Sequence, residues 1–186
     1  MNVIVVPDAA MIVIPLIEKN GHNYLSPSNF SKYDNTDICE GNLSYGNILT
    51  RYSSSEVPSG VKGRLFLLSK VLYNADAAII IGKRPKNYVR MYNSLNDLIL
   101  FGSNSCNNAR SLTVKMIRDL NIPTLKLAYP TNKNQIISLI NRTNFFLKNL
   151  NIGSGIVNED NLNVDLVEKR DKCPVCDVKE ILNNLI

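Results

Sequence analysis

The chain reads as an α/β domain: a three-layer, mostly parallel, doubly wound sheet of the Rossmann or flavodoxin kind, with a small C-terminal appendage. Three observations predict it. Short, almost wholly apolar runs recur at Val3–Val6, Ala77–Ile81, Leu98–Phe101 and Thr124–Ala128, as expected of strands buried on both faces of a parallel sheet. Between them lie stretches with apolar residues at helical spacing, Val61, Leu65, Leu68 and Leu72 in one and Ala109, Leu112, Met116 and Leu120 in another,. Directly after the Ala77–Ile81 run come Lys83, Arg84, Lys86 and Arg90, at the carboxyl end of a strand, where open α/β sheets bind ligands.

Taken in order, Val3–Val6 is the first strand, stopped by Pro7-Asp8. Ala9–Lys19 is a helix closed by Asn20-Gly21, and Pro15 inside it predicts a kink or a late start. His22–Leu25 is a short returning strand. Residues 26–55 are polar and without periodicity, a loop long enough to be functional or disordered; Asn47–Tyr52 is a candidate strand within it. Pro58 and Gly60 break what precedes, Ser59 is placed to cap a helix over 60–73, and the strand Ala77–Ile81 follows. Leu98–Phe101 reads as another buried strand. A small-residue loop from Gly102 to Arg110 opens a helix over 108–120, which Asn121 ends. Pro123–Tyr129 is the next strand, and Thr131 caps a last helix over 133–150. Gly153-Ser-Gly155 marks a boundary. Residues 1–152 are therefore the α/β domain, and 153–186 the appendage with its Cys-x-x-Cys knuckle.

A length of 186 residues is ample for one core,. A hydrophobic content of 45% with 20% charged residues is that of an ordinary globular protein,. The formal charge of +5 is mild, but Lys62, Arg64, Lys83, Arg84, Lys86 and Arg90 fall within thirty residues and concentrate it locally,. Met1–Val6 has no basic leader, and the longest apolar stretch, Met11–Ile17, is too short to span a bilayer. A cytoplasmic location and no membrane partner are expected. The four cysteines, at 39, 106, 173 and 176, are then thiols or metal ligands rather than disulfides.

Each candidate site has a plain structural alternative. Ser59, Gly60, Lys62 and Arg64 could cradle an anion with free N–H groups and two cations, although Walker spacing is absent; otherwise they are a capped, solvated helix start. The run Lys83, Arg84, Lys86, Tyr88, Arg90 could bind phosphate or carboxylate, or RNA with Tyr88 and Tyr92 as stacking platforms, or be a solvated loop. Cys106 stands at a helix start that lowers a thiol's pKa, yet a lone cysteine is more often core. The single histidine, His22, is far from it in sequence and reads as structural. Cys173-Pro-Val-Cys176 could supply half of a zinc site. Completing it would require Cys39 and Cys106, a second copy of the chain in a homodimer, or another partner. Asp8 and Arg110 join Lys83, Arg84 and Cys106 at strand ends, and together they form the candidate ligand-binding set.

The blocks Glu56-Val-Pro-Ser-Gly-Val-Lys-Gly-Arg64 and Ala75-Asp-Ala-Ala-Ile-Ile-Ile81, the loop with Cys106, Ala109 and Arg110, and Asn121-Ile-Pro-Thr-Leu-Lys-Leu-Ala-Tyr-Pro130 resemble the methanogenesis marker protein 5 family of methanogenic archaea, over roughly residues 1–150. The resemblance implies a cytoplasmic archaeal protein acting with partner proteins in maturing or activating methyl-coenzyme M reductase or its cofactors. It assigns no role to any residue. The segment from Cys106 to Leu150 also looks like the lower half of a 2-hydroxyacyl-CoA dehydratase subunit; one cysteine is too few for that family's iron–sulfur cluster, so the likeness bears on the fold alone. Three expectations follow: an assembly factor of the methanogenesis machinery; an enzyme or binding domain for an anionic, phosphate- or carboxylate-bearing ligand; and, ranked below both, RNA binding through 83–90. No nucleophile–base pair or complete metal set in the sequence decides between enzyme and binding protein.

Overall fold

The computed structural model describes residues 1–27, 52, 56–85, 93–102 and 107–150. Four strands, β1 (Asn2–Val6), β2 (Asn23–Leu25), β3 (Ala77–Ile81) and β4 (Thr124–Leu127), form one sheet in the order β2-β1-β3-β4. Every pairing is parallel, with Val3 opposite Ala77 and Ile79 opposite Leu125. The five helices among the described residues are α1 (Ile14–Lys19), α2 (Ser59–Leu72), α3 (Ser94–Phe101), α4 (Asn107–Asp119) and α5 (Lys133–Leu150). The strand order, with its reversal between β1 and β3, is that of a flavodoxin-like doubly wound sheet.

Alternation along the strands divides the core in two. Val3, Val5, Ile79, Ile81, Leu125 and Leu127 face α1 and α5, where Leu16, Ile17, Ile136, Ile140 and Leu147 meet them. Ile4, Val6, Ala78 and Ile80 face α2 and α4 through Leu65, Leu68, Leu72, Met116 and Ile117. Helices thus cover both faces, giving three layers. Thr113 and Thr143, buried in this apolar setting, donate their hydroxyls to the carbonyls of Ala109 and Leu139 one turn back. His22 is buried with Nε2 3.0 Å from the Leu147 carbonyl, at the amino end of the sheet. No helix among the described residues is long and apolar enough to cross a membrane.

Several expectations need correction. Leu98–Phe101 is the second half of a helix, not a strand. The Asn93 side chain caps that helix by accepting the Asn96 N–H at 2.8 Å, Asp97 lies in its first turn, and only Phe101 of the apolar run is buried while Leu98 and Ile99 are exposed. The first helix starts late, at Ile14, with Pro15 in its opening turn, where a missing N–H removes nothing. Ser59 is not a cap: Pro58 occupies that position and no side chain caps α2. At α5 the side chain of Asn132, not Thr131, accepts the Gln135 N–H, while Gln135 Oε1 accepts from the Thr131 amide and hydroxyl. β4 is not buried on both faces, since Lys126 is exposed. The expected strand at 47–52 lies outside the described residues except for Tyr52, which is helical and donates to Asp119.

Candidate binding cleft at the carboxyl edge of the sheet

β1, β3 and β4 all end at one edge, and their exits carry Asp8, Lys83–Arg84 and Tyr129. Two glycines let the chain close there. A Cβ at Gly82 would lie 3.0 Å from the Tyr129 nitrogen and 3.2 Å from the Leu127 carbonyl oxygen, and the Gly82 N–H donates to that carbonyl at 2.6 Å. Gly102 ends α3 at φ +71°, and a Cβ there would meet the Asp8 carbonyl oxygen at 2.8 Å. α3 is therefore seated directly on the β1 exit. Its last turn leaves carbonyls without intrahelical partners; those of Ile99 and Leu100 accept the N–H groups of Met11 and Ile12, each at 3.1 Å.

Two of the expected cations are neutralised at this edge. Arg84 donates to Asp97 at 2.5 Å, and the Tyr129 hydroxyl donates to the other carboxylate oxygen. The Asp97 side chain is only 6% exposed, and the Tyr129 ring packs on Phe101 with centroids 5.0 Å apart. This polar knot ties α3 to the exits of β3 and β4. On the other side of β3, Arg64 pairs with Asp8 in an exposed salt bridge. That contact places the start of α2, with Ser59, Gly60 and Lys62, at the same edge. Tyr24 accepts the Ala9 N–H at 3.0 Å. Burial raises its pKa; the bond from Ala9 and one to Ser26 oppose the rise, and the charge of Asp8 adds to it.

A cleft of about 420 Å³ lies between α4 and β4. Its walls carry Lys83, Arg110, Arg118 and Lys126, with Ile80 and Val114 between them, and no carboxylate lines it among the described residues. Arg110 donates to the carbonyl of Ile81, the last residue of β3. Burial lowers the pKa of its guanidinium, because withdrawal from water disfavours the charged form. The cleft exists because α4 packs over β1 and β3 through Ala109, Met116 and Ile117. The second face of β4 is left open, and that strand turns Lys126 outward there.

Of the expected ligand set, Asp8, Ser59, Gly60, Lys62, Arg64, Lys83, Arg84 and Arg110 are thus brought to one edge, but only Lys83 and Arg110 reach the cleft. Cys106, Lys86, Tyr88, Arg90, Tyr92, Cys39 and the knuckle Cys173 and Cys176 lie outside the described residues. Sequence reading overlooked Asp97, Arg118 and Lys126. Arg110, Val114 and Arg118 recur every four residues along one helix flank, and Lys126 is the only charge in its strand; both were visible signals.

No solved structure matches the chain. An uncharacterized protein of Methanocaldococcus jannaschii, a methanogen, is 37% identical over 100 residues, which span 54% of this chain and 58% of that protein. The family model described as uncharacterized protein conserved in archaea (DUF2112) matches residues 1–150, a span that includes every strand and helix described above, and the chain belongs to that family.

Proposed function

We propose that the domain binds an anionic small ligand, bearing phosphate or carboxylate, in the cleft between α4 and β4. The observation that carries this reading is Arg110: a guanidinium partly withdrawn from water, its pKa lowered by burial, in a cleft lined by three further cations and no carboxylate among the described residues. An anion there would offset the desolvation of Arg110 with charge-assisted hydrogen bonds. Only the Lys83 and Arg110 end of the cleft agrees with the general rule for open α/β sheets, whose ligands sit beyond the carboxyl ends of the strands; the reversal of strand order lies one strand away, between β1 and β3. The test is calorimetric titration of the full chain with inorganic phosphate and pyrophosphate at low ionic strength. Saturable binding is expected, weakened about tenfold by Arg110→Gln. Absence of saturable binding for both anions would sink the reading.

A second reading is favoured by the resemblance to the methanogenesis marker protein 5 family together with the methanogen relative: the protein assists maturation or activation of methyl-coenzyme M reductase or its cofactors. Anaerobic affinity capture from a methanogen would recover components of that machinery if so, and recovery of none would count against it. Zinc at Cys173 and Cys176 belongs with this reading as part of a docking element. It predicts near-stoichiometric zinc in the purified chain that Cys173→Ser abolishes.

A further inference from the structure

The cleft is longer than one anionic group. Arg110 and Arg118 are eight residues apart on α4, which separates their backbones by about 12 Å along the helix axis. The strand side repeats this two-level spacing. Lys126 is paired with Ile80 within the sheet, whereas Lys83 lies three residues beyond Ile80, about 10 Å further if extended. Lys83 and Arg110 therefore mark the carboxyl-edge end of the cleft, beside the Ile81 carbonyl that Arg110 holds. Arg118 and Lys126 mark its deeper part along the sheet. Between the two levels the lining is uncharged, with Val114 on the helix side and Gly82 on the strand side, while Ile80 stands level with its pair Lys126.

Resting on the anion-binding reading above, we infer that the cleft takes a linear ligand with two anionic groups about 10 Å apart, joined by an apolar segment. One group meets Lys83 and Arg110; the other meets Arg118 and Lys126; the linker lies over Val114 and Gly82. A compact anion fills only one end. The uncharged middle disfavours a ligand whose charge is continuous along its length, because each phosphate held over Val114 and Gly82 would lose water without gaining a cation.

The experiment titrates the full chain by calorimetry with inorganic phosphate, malonate, suberate and sebacate, and with a short single-stranded RNA as a comparison. The longer dicarboxylates are expected to bind about tenfold more tightly than malonate. Arg118→Gln, a change at an exposed position, should abolish that gain, and Lys83→Gln should weaken all the anions. Equal affinity for malonate and sebacate, with phosphate still bound, would overturn the two-ended site and leave the anion-binding reading intact. No binding of any anion would overturn both. RNA binding tighter than sebacate, with a steep fall as salt is raised, would overturn the small-ligand class.

Discussion

Lys83 and Arg84 are adjacent in sequence and have opposite employment. Arg84 turns to Asp97, whose other oxygen is held by the Tyr129 hydroxyl, and the knot fastens α3 across the sheet exits. Lys83 turns into the cleft, where it joins Arg110, Arg118 and Lys126 with no carboxylate lining the same space among the described residues. The same division appears in the two flanking arginines, since Arg64 is spent on Asp8 while Arg110 donates to the main-chain carbonyl of Ile81. A run of positive charge in sequence is thus two populations. One holds the edge together through buried or half-exposed ion pairs, and the other is gathered where a ligand can reach it.

The sharpest way to test that division is to remove Asp97. Asp97→Ala leaves Arg84 and the Tyr129 hydroxyl facing a space only 6% exposed at the lost carboxylate, and should lower stability by about 3 kcal/mol, read from the urea midpoint. A loss no larger than that of an exposed pair would break the comparison on its structural side. Gly102→Ala attacks the same seat of α3 from the other end. Its φ of +71° and the 2.8 Å approach to the Asp8 carbonyl predict a loss of about 2 kcal/mol, and a neutral result would mean that α3 shifts freely on the β1 exit.

A smaller effect comes from pH. Burial raises the Tyr24 pKa in the folded chain, so the neutral phenol is favoured there. Its contribution is complete below the unfolded value of about 10 and is lost as pH rises through the higher folded value. Urea midpoints measured from neutral to strongly alkaline pH should fall above that point, less steeply in Tyr24→Phe; identical slopes would remove Tyr24 from the account. Smallest is Arg64→Ala, where an exposed pair should contribute about 0.5 kcal/mol and vanish in high salt. Arg118→Gln should change stability by no more than that, because its role lies with the ligand; a large loss would place it among the structural cations.

Much of the fold was legible because burial leaves a one-dimensional trace. β1 and β3 are apolar without interruption, as strands covered on both faces must be, and the long spacing pattern of α5 gave its limits directly. Leu98–Phe101 was misread because four apolar residues suit either a buried strand or half a helix. The deciding signals were Asn93 as a cap and Asp97 one turn before Phe101, both polar residues just upstream. β4 was read as buried on both sides although Lys126 interrupts it. The neighbours of a strand, not its own composition, decide which face stays open, and sequence order does not reveal that α4 stops short of β4. At the edge, the positions of Asp8 and Lys83 could be read from strand ends; Arg110 was expected there after a strand at Leu98–Phe101 that is a helix, and it reaches the edge from the start of α4. The pairing of Arg84 with Asp97 could not, since it depends on a helix folding back from later in the chain.

Lys126 has a consequence unrelated to ligands. β4 is one of the two outer strands of the sheet among the described residues, and an outer strand invites another chain to pair with it. With its lysine the strand reads Thr-Leu-Lys-Leu; with valine in that place it would become a short, uncharged, β-prone segment of the kind that seeds assembly. The charge that helps to line the cleft is therefore also a guard against self-association. A descendant that lost its ligand could not shed this lysine without risking its solubility.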